Sequence, residues 1–164
     1  MTLGVVGVVI VIGTAVSMIP AAMFAVEKEI RSGLGETAIS GIVGTITSGV
    51  IFLALALSGI LFRKRPDIHK RLLLMSTIIV LWPAWFRFRH YFPSIDRPDI
   101  WFAVVLADSL IVITWIWELV SFGKVHRVFI FGGLFIIAEH AFEVMMFDSD
   151  NWRIVAGFIY GMLN

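Results

Sequence analysis

The chain has 164 residues, 59% of them hydrophobic and 15% charged, with a mean hydropathy of +0.95 and a formal net charge of +1. That balance excludes an ordinary soluble domain and points to an integral membrane protein. The absence of cysteine excludes disulfides, thioether-attached haem and cysteine-ligated iron–sulfur clusters, and no nucleic-acid partner is expected.

A membrane-spanning helix needs about 20 mostly apolar residues. Five segments qualify, at about 3–26, 38–62, 71–92, 100–122 and 126–147. The predicted fold class is therefore all-α, a bundle of five transmembrane helices forming one domain over residues 1–164. The first span opens on "MTLGVVGVVIVIG", which lacks the basic start of a cleaved leader, so it is expected to stay. Spans one and two carry small residues at packing intervals: Gly13 and Ser17, then Gly41, Thr45 and Gly49, with Gly44 and Ser48 beside them. Small residues four apart let helix backbones approach closely in lipid.

The loop after span two holds Arg63, Lys64, Arg65, Lys70 and Arg71, the densest basic cluster in the chain. It should face the cytoplasm, which by parity puts the N-terminus inside and the C-terminus outside. In "RKRPDIHKR", Pro66 stops one helix and Asp67 is placed to cap the next. Span three contains Pro83, which should kink it, and Pro83, Arg87 and His90 share one stripe. Two prolines in "RHYFPSIDRPDIW" end that span, and the short "SFGKVHR" makes spans four and five antiparallel neighbours. The tail is too short to cross and reads as an interfacial helix over 152–163. The tryptophans fall mostly toward span ends, as interface belts do.

Depth sorts the ionisable residues into two layers. At 1.5 Å per residue from the inner span ends, Asp108, Glu139 and His140 lie roughly 20 Å in, Glu143 about 25 Å and Arg87 about 27 Å. With His90 on the Arg87 stripe, these six form a candidate ligand-binding or proton network. A charge at mid-membrane costs about 2.5–3.5 kcal/mol, so pairing is expected. Glu139 should be buried and bonded to Arg87, with Asp108 close by. The inner layer, His69, Lys70, Arg71, Lys124, His126 and Arg127, clusters at two helix N-termini and should meet anionic lipid headgroups.

Haem and quinone are the cofactors these residues leave open. His69 and His126 match in depth for bis-histidine ligation, whereas His90 and His140 differ by roughly 10 Å. No metal site is expected, since no E-x-x-H pair is present. No nucleophile elbow, phosphate loop or zinc-protease motif appears, so no catalytic residue is expected and the balance is against an enzyme.

At "RPDIHKRLLLMST" and "ELVSFGKVHRVFIFGG" the chain resembles a widespread group of bacterial multi-span inner-membrane proteins. Their pattern runs R-P-D-x-H-K-R-L-M at the start of one span, an acidic residue in the next, and G-[KR]-V-H-P opening the last. His69, Lys70, Arg71, Asp108, Glu118 and His126 match, over roughly residues 60–135; Leu74, Arg127 in place of proline, and the crowded "AEHAFE" depart from it. The resemblance implies a bacterial inner-membrane location and supplies no reaction. The expected function is an accessory, assembly or structural subunit of a larger membrane complex, with the lipid bilayer and other membrane proteins or a second copy as partners. The alternative is a membrane-embedded ligand, quinone, haem or proton-relay site serving a redox system.

Overall fold

The computed structural model describes residues 2–164, and among them there are six α-helices and no strand: α1 Thr2–Arg31, α2 Glu36–Leu61, α3 Pro66–Phe86, α4 Ala107–Phe122, α5 Arg127–Met146 and α6 Asp150–Leu163. A 3-10 turn, Arg87–His90, continues α3, and a π-helical run, Asp99–Leu106, leads into α4. With these continuations five segments are long and apolar enough to cross a membrane: Gly4–Arg31, Glu36–Leu61, Pro66–His90, Asp99–Phe122 and Arg127–Met146. The all-α, five-span fold is thus observed.

Two boundaries differ from the sequence expectation for local reasons. The first helix runs to Arg31 rather than 26, because Glu27 and Arg31 sit one turn apart, 3.5 Å between charged atoms, and support a solvated last turn. It ends where Gly33 (φ 93°) and Gly35 (φ 59°) take left-handed conformations. The third helix starts at Pro66 rather than 71. Proline at the first helical position loses no bond and arrives with helical φ, so it begins this helix with Arg65 as its cap.

The chain divides into two compact units. The first comprises the residues up to Leu53 together with Met145–Asn164. Its core is Ala22, Val26, Ile42, Val43, Trp152 and Ala156. Trp152 and Ala156 are the buried face of α6, and the Trp152 indole N–H donates to the Ser40 carbonyl at 3.0 Å. Ile154, Phe158 and Met162 on α6 remain exposed. On α1, Val5, Val9, Ile10, Val16 and Phe24 are each more than 60% exposed, an apolar surface suited to lipid.

The second unit is Ala54–Val144. Met75, Ile78 and Ile79 of α3, Phe102 and Ala103 of the π run, Ala107 and Ile111 of α4, and Phe129 and Ile136 of α5 are its buried apolar side chains. Gly133 lets α5 come close to α4. A Cβ there would lie 2.7 Å from both Ile111 Cγ2 and Trp115 Cζ2. The Trp115 indole N–H, at the same contact, donates to the Phe129 carbonyl at 3.0 Å.

Candidate functional site

The second unit holds two polar networks built on opposite principles. The first joins the two loop motifs. Arg71 is buried and ion-paired with Glu118, its Nε donating to Glu118 Oε1 at 2.5 Å, while its Nη1 donates to the Asp67 carbonyl one turn back. The other Glu118 oxygen, Oε2, accepts the backbone N–H of His126 at 2.9 Å. His126 caps α5: its Nδ1 accepts the Val128 backbone N–H at 3.2 Å, so its proton lies on Nε2, 3.4 Å from Asp67 Oδ2. His69 donates from Nδ1 to the Gly59 carbonyl at 2.7 Å and ties the end of α2 to the start of α3. Arg71 and Glu118 meet as charges, and His126 is held through its backbone N–H and its Nδ1. This is a clamp, with its charges compensated.

The second network lies in α4 and α5 beside α3. His140 is fully buried, and its Nδ1 lies 2.7 Å from Asp108 Oδ1. Its other nitrogen, Nε2, faces Glu139 Oε2 at 3.8 Å, too long for a hydrogen bond. Glu143, one turn further along α5, is buried at 5% exposure. Trp82 of α3 lies against the imidazole, 6.1 Å between ring centroids. Asp108 Oδ2, Glu139 Oε2, His140 Nε2, Glu143 Oε2 and Trp82 Nε1 are all buried without a hydrogen-bond partner. Among the described residues no arginine or lysine bonds to any of these three carboxylates. Buried polar atoms are almost always satisfied, so five orphans around one imidazole mark a place where something is missing from an ordinary packing account.

Arg87 is not the counter-ion that depth arithmetic proposes. It lies exposed in the 3-10 turn after α3 and bonds to none of the cluster carboxylates, and His90 is exposed in the same turn. The α-helix ends at Phe86, and Arg87 and His90 fall in the exposed turn beyond it. The partner of Asp108 is His140 instead. Four of the six residues predicted for this network, Asp108, Glu139, His140 and Glu143, come together.

In the inner layer Lys70, Lys124 and Arg127 are exposed, whereas His69, Arg71 and His126 turn inward to the contacts above rather than to headgroups. Of the two histidines that match in depth for haem, His69 has its Nδ1 on the Gly59 carbonyl and His126 its Nδ1 on the Val128 amide. Asp67 belongs to the clamp and Trp82 to the cluster, and neither was among the predicted site residues; Glu118 was singled out in the loop motifs, without a partner assigned to it. Both Asp67 and Glu118 stand in those motifs, where their spacing to His126 and Arg71 is the available signal. Among the described residues no three histidine, aspartate or glutamate side chains come together as metal ligands. No family model, no curated protein and no solved structure matches this chain.

Proposed function

We propose that the chain is a polytopic membrane protein whose function resides in a small-ligand or proton site at Asp108, Glu139, His140 and Glu143, with Asp67, Arg71, Glu118 and His126 holding its helices in register. One observation carries this reading: the clamp is satisfied and the cluster is not. An unpaired charge in the membrane interior costs about 2.5–3.5 kcal/mol, and groups kept for stability alone would not be left that way. Functional sites are where proteins accept such costs. The exposed Arg63, Lys64, Arg65, Lys70, Lys124 and Arg127 support a cytoplasmic side at the α2–α3 and α4–α5 loops, against anionic headgroups, in a bacterial inner membrane.

Thermal unfolding in detergent separates site from clamp. Arg71→Leu leaves Glu118 buried and unpaired and should cost about 3–5 kcal/mol, with Glu118→Gln in the same chain restoring part of it. Glu139→Gln and Glu143→Gln should leave the melting temperature unchanged or raise it. A loss from either of the two as large as that from Arg71→Leu would make the cluster a packing element.

A further inference from the structure

We infer that the ligand of this cluster is the proton, and that His140 takes it from Glu139 and Glu143 and holds it against Asp108. The inference rests on the reading of the cluster as a site.

Imidazole is the one side chain that can gain a proton at one nitrogen while bonded through the other, and His140 is set between two carboxylates. Its Nδ1 is 2.7 Å from Asp108 Oδ1 and its Nε2 is 3.8 Å from Glu139 Oε2. A change of about 1 Å in the Glu139 carboxyl would bring that second approach to hydrogen-bonding distance. Glu143, four residues beyond Glu139 on the same helix, presents the next buried and unpartnered oxygen. The order is therefore Glu143, Glu139, His140, Asp108. It has a direction as well. Glu143 lies about 5 Å from the C-terminal end of α5 at 1.5 Å per residue, and His140 about 9 Å, so protons would enter from that end and Asp108 closes the file.

The groups that face the imidazole leave no other source of positive charge. The neighbouring α3 supplies the Trp82 ring, which carries a donor and no basic atom; α4 supplies Asp108; α5 supplies Glu139 and Glu143. Three ionised carboxylates together in the membrane interior would be prohibitive. With Glu139 and Glu143 as carboxylic acids, Asp108 as carboxylate and a neutral ring, a single negative charge remains. Loading proceeds as the Glu139 O–H bond breaks and the Nε2–H bond forms. Glu139 then regains a proton from Glu143, and Glu143 from water at the membrane face. The cluster takes up one proton, and the loaded state, imidazolium against the Asp108 carboxylate, is neutral. No oxidant, reductant or metal takes part. A metal ion would need several ligands converging on one point, which these residues do not provide, whereas a proton needs only the pairwise approaches seen here.

The test uses the full-length protein in lipid nanodiscs. Infrared titration of the wild type should show, at neutral pH, a protonated-carboxyl C=O absorption that shifts in heavy water and is reduced in both Glu139→Gln and Glu143→Gln. On mild acidification an indicator dye should report one proton more taken up by the wild type than by His140→Gln, in which the carboxyl absorption persists. Absence of that absorption from the wild type overturns the inference, as does full uptake by a folded His140→Gln protein. If His140→Gln fails to fold, the wild-type absorption and its reduction in Glu143→Gln still decide. The two readings fail differently. Glu139→Gln and Glu143→Gln proteins that melt like Arg71→Leu remove the site itself, whereas unchanged melting with no protonated carboxyl leaves a site for another ligand.

Discussion

Asp148 stands outside the apolar spans, between α5 and α6, with a φ of 62° that few residues other than glycine adopt. Its oxygens accept from Arg153 Nε and Nη2 at 2.9 and 2.6 Å, from Ser40 Oγ at 2.7 Å and from Thr37 Oγ1 at 3.0 Å. The Arg153 guanidinium, joined by the Ser40 and Thr37 hydroxyls and opposed by partial burial, pushes the carboxyl down to about 2. An unfolded aspartate titrates near about 4, so the folded value is the lower one. The stability Asp148 contributes is then complete above pH of about 4 and lost as pH falls toward 2. Asp148→Asn tolerates the same backbone, removes the charge and turns one of the two accepting oxygens into an N–H donor. It should melt lower at neutral pH and lose the acid dependence between those two values, as thermal unfolding across that range would record. Nothing in the sequence announces this contact: Thr37 and Ser40 lie more than a hundred positions from Asp148, and hydroxyls on an apolar helix read equally well as packing residues.

At the scale of single helices, space decides what α5 tolerates. A Cβ on Gly133 would meet the fully buried Ile111 and the Trp115 ring, which is tied to the Phe129 carbonyl, whereas one on Gly132 would meet the Met75 Sδ at 2.5 Å and Cε at 2.7 Å, the far end of a long, unbranched side chain. Gly133→Ala should therefore cost about 1–3 kcal/mol and Gly132→Ala distinctly less, because methionine moves aside; chemical denaturation in mixed micelles would rank them. Helix geometry also explains which parts of the cluster were legible. The matched depths of Asp108, Glu139 and His140 follow from uninterrupted α-helix between them and their inner span ends, and that count holds. Arg87 was misplaced because a depth count does not say which way a side chain turns: the α-helix runs up to Phe86 as assumed, and Arg87, the next residue, is exposed. His140 points about 100° from Glu139 around α5, and the sequence does not say which neighbour lies in that direction. The structure puts Asp108 there.

For the molecule as a whole, apolar length was enough to read five spans, since the bilayer admits few other structures. The side each loop faces rests on the basic residues alone. Lys64 and Ser94 lie in successive loops on either side of α3, and the chain has no native cysteine to interfere with labelling. Single cysteines at the two positions should react with an impermeant maleimide from opposite sides of the membrane. Labelling of both from one side would overturn the five-span topology. The loop motifs were visible as patterns from the start, yet their physical content, a carboxylate that pairs with Arg71 and receives the backbone amide of His126 just before α5, needed the fold to show it.

The π-helical run before α4 has an evolutionary reading. Bonds that skip five residues rather than four store more chain in each turn than an α-helix does. Excising one residue from 100–105 would let the run relax into α-turns while Asp108, Glu118 and everything after them keep their facing. Excision within α4, between Ser109 and Trp117, would instead swing Glu118 by about 100° relative to Asp108 and separate the clamp from the cluster. Within Asp99–Phe122, a deletion scan read by yield of folded protein in membranes should find its tolerant window in the π run. Within that span, the π run is where a residue lost would leave the helix that follows in place.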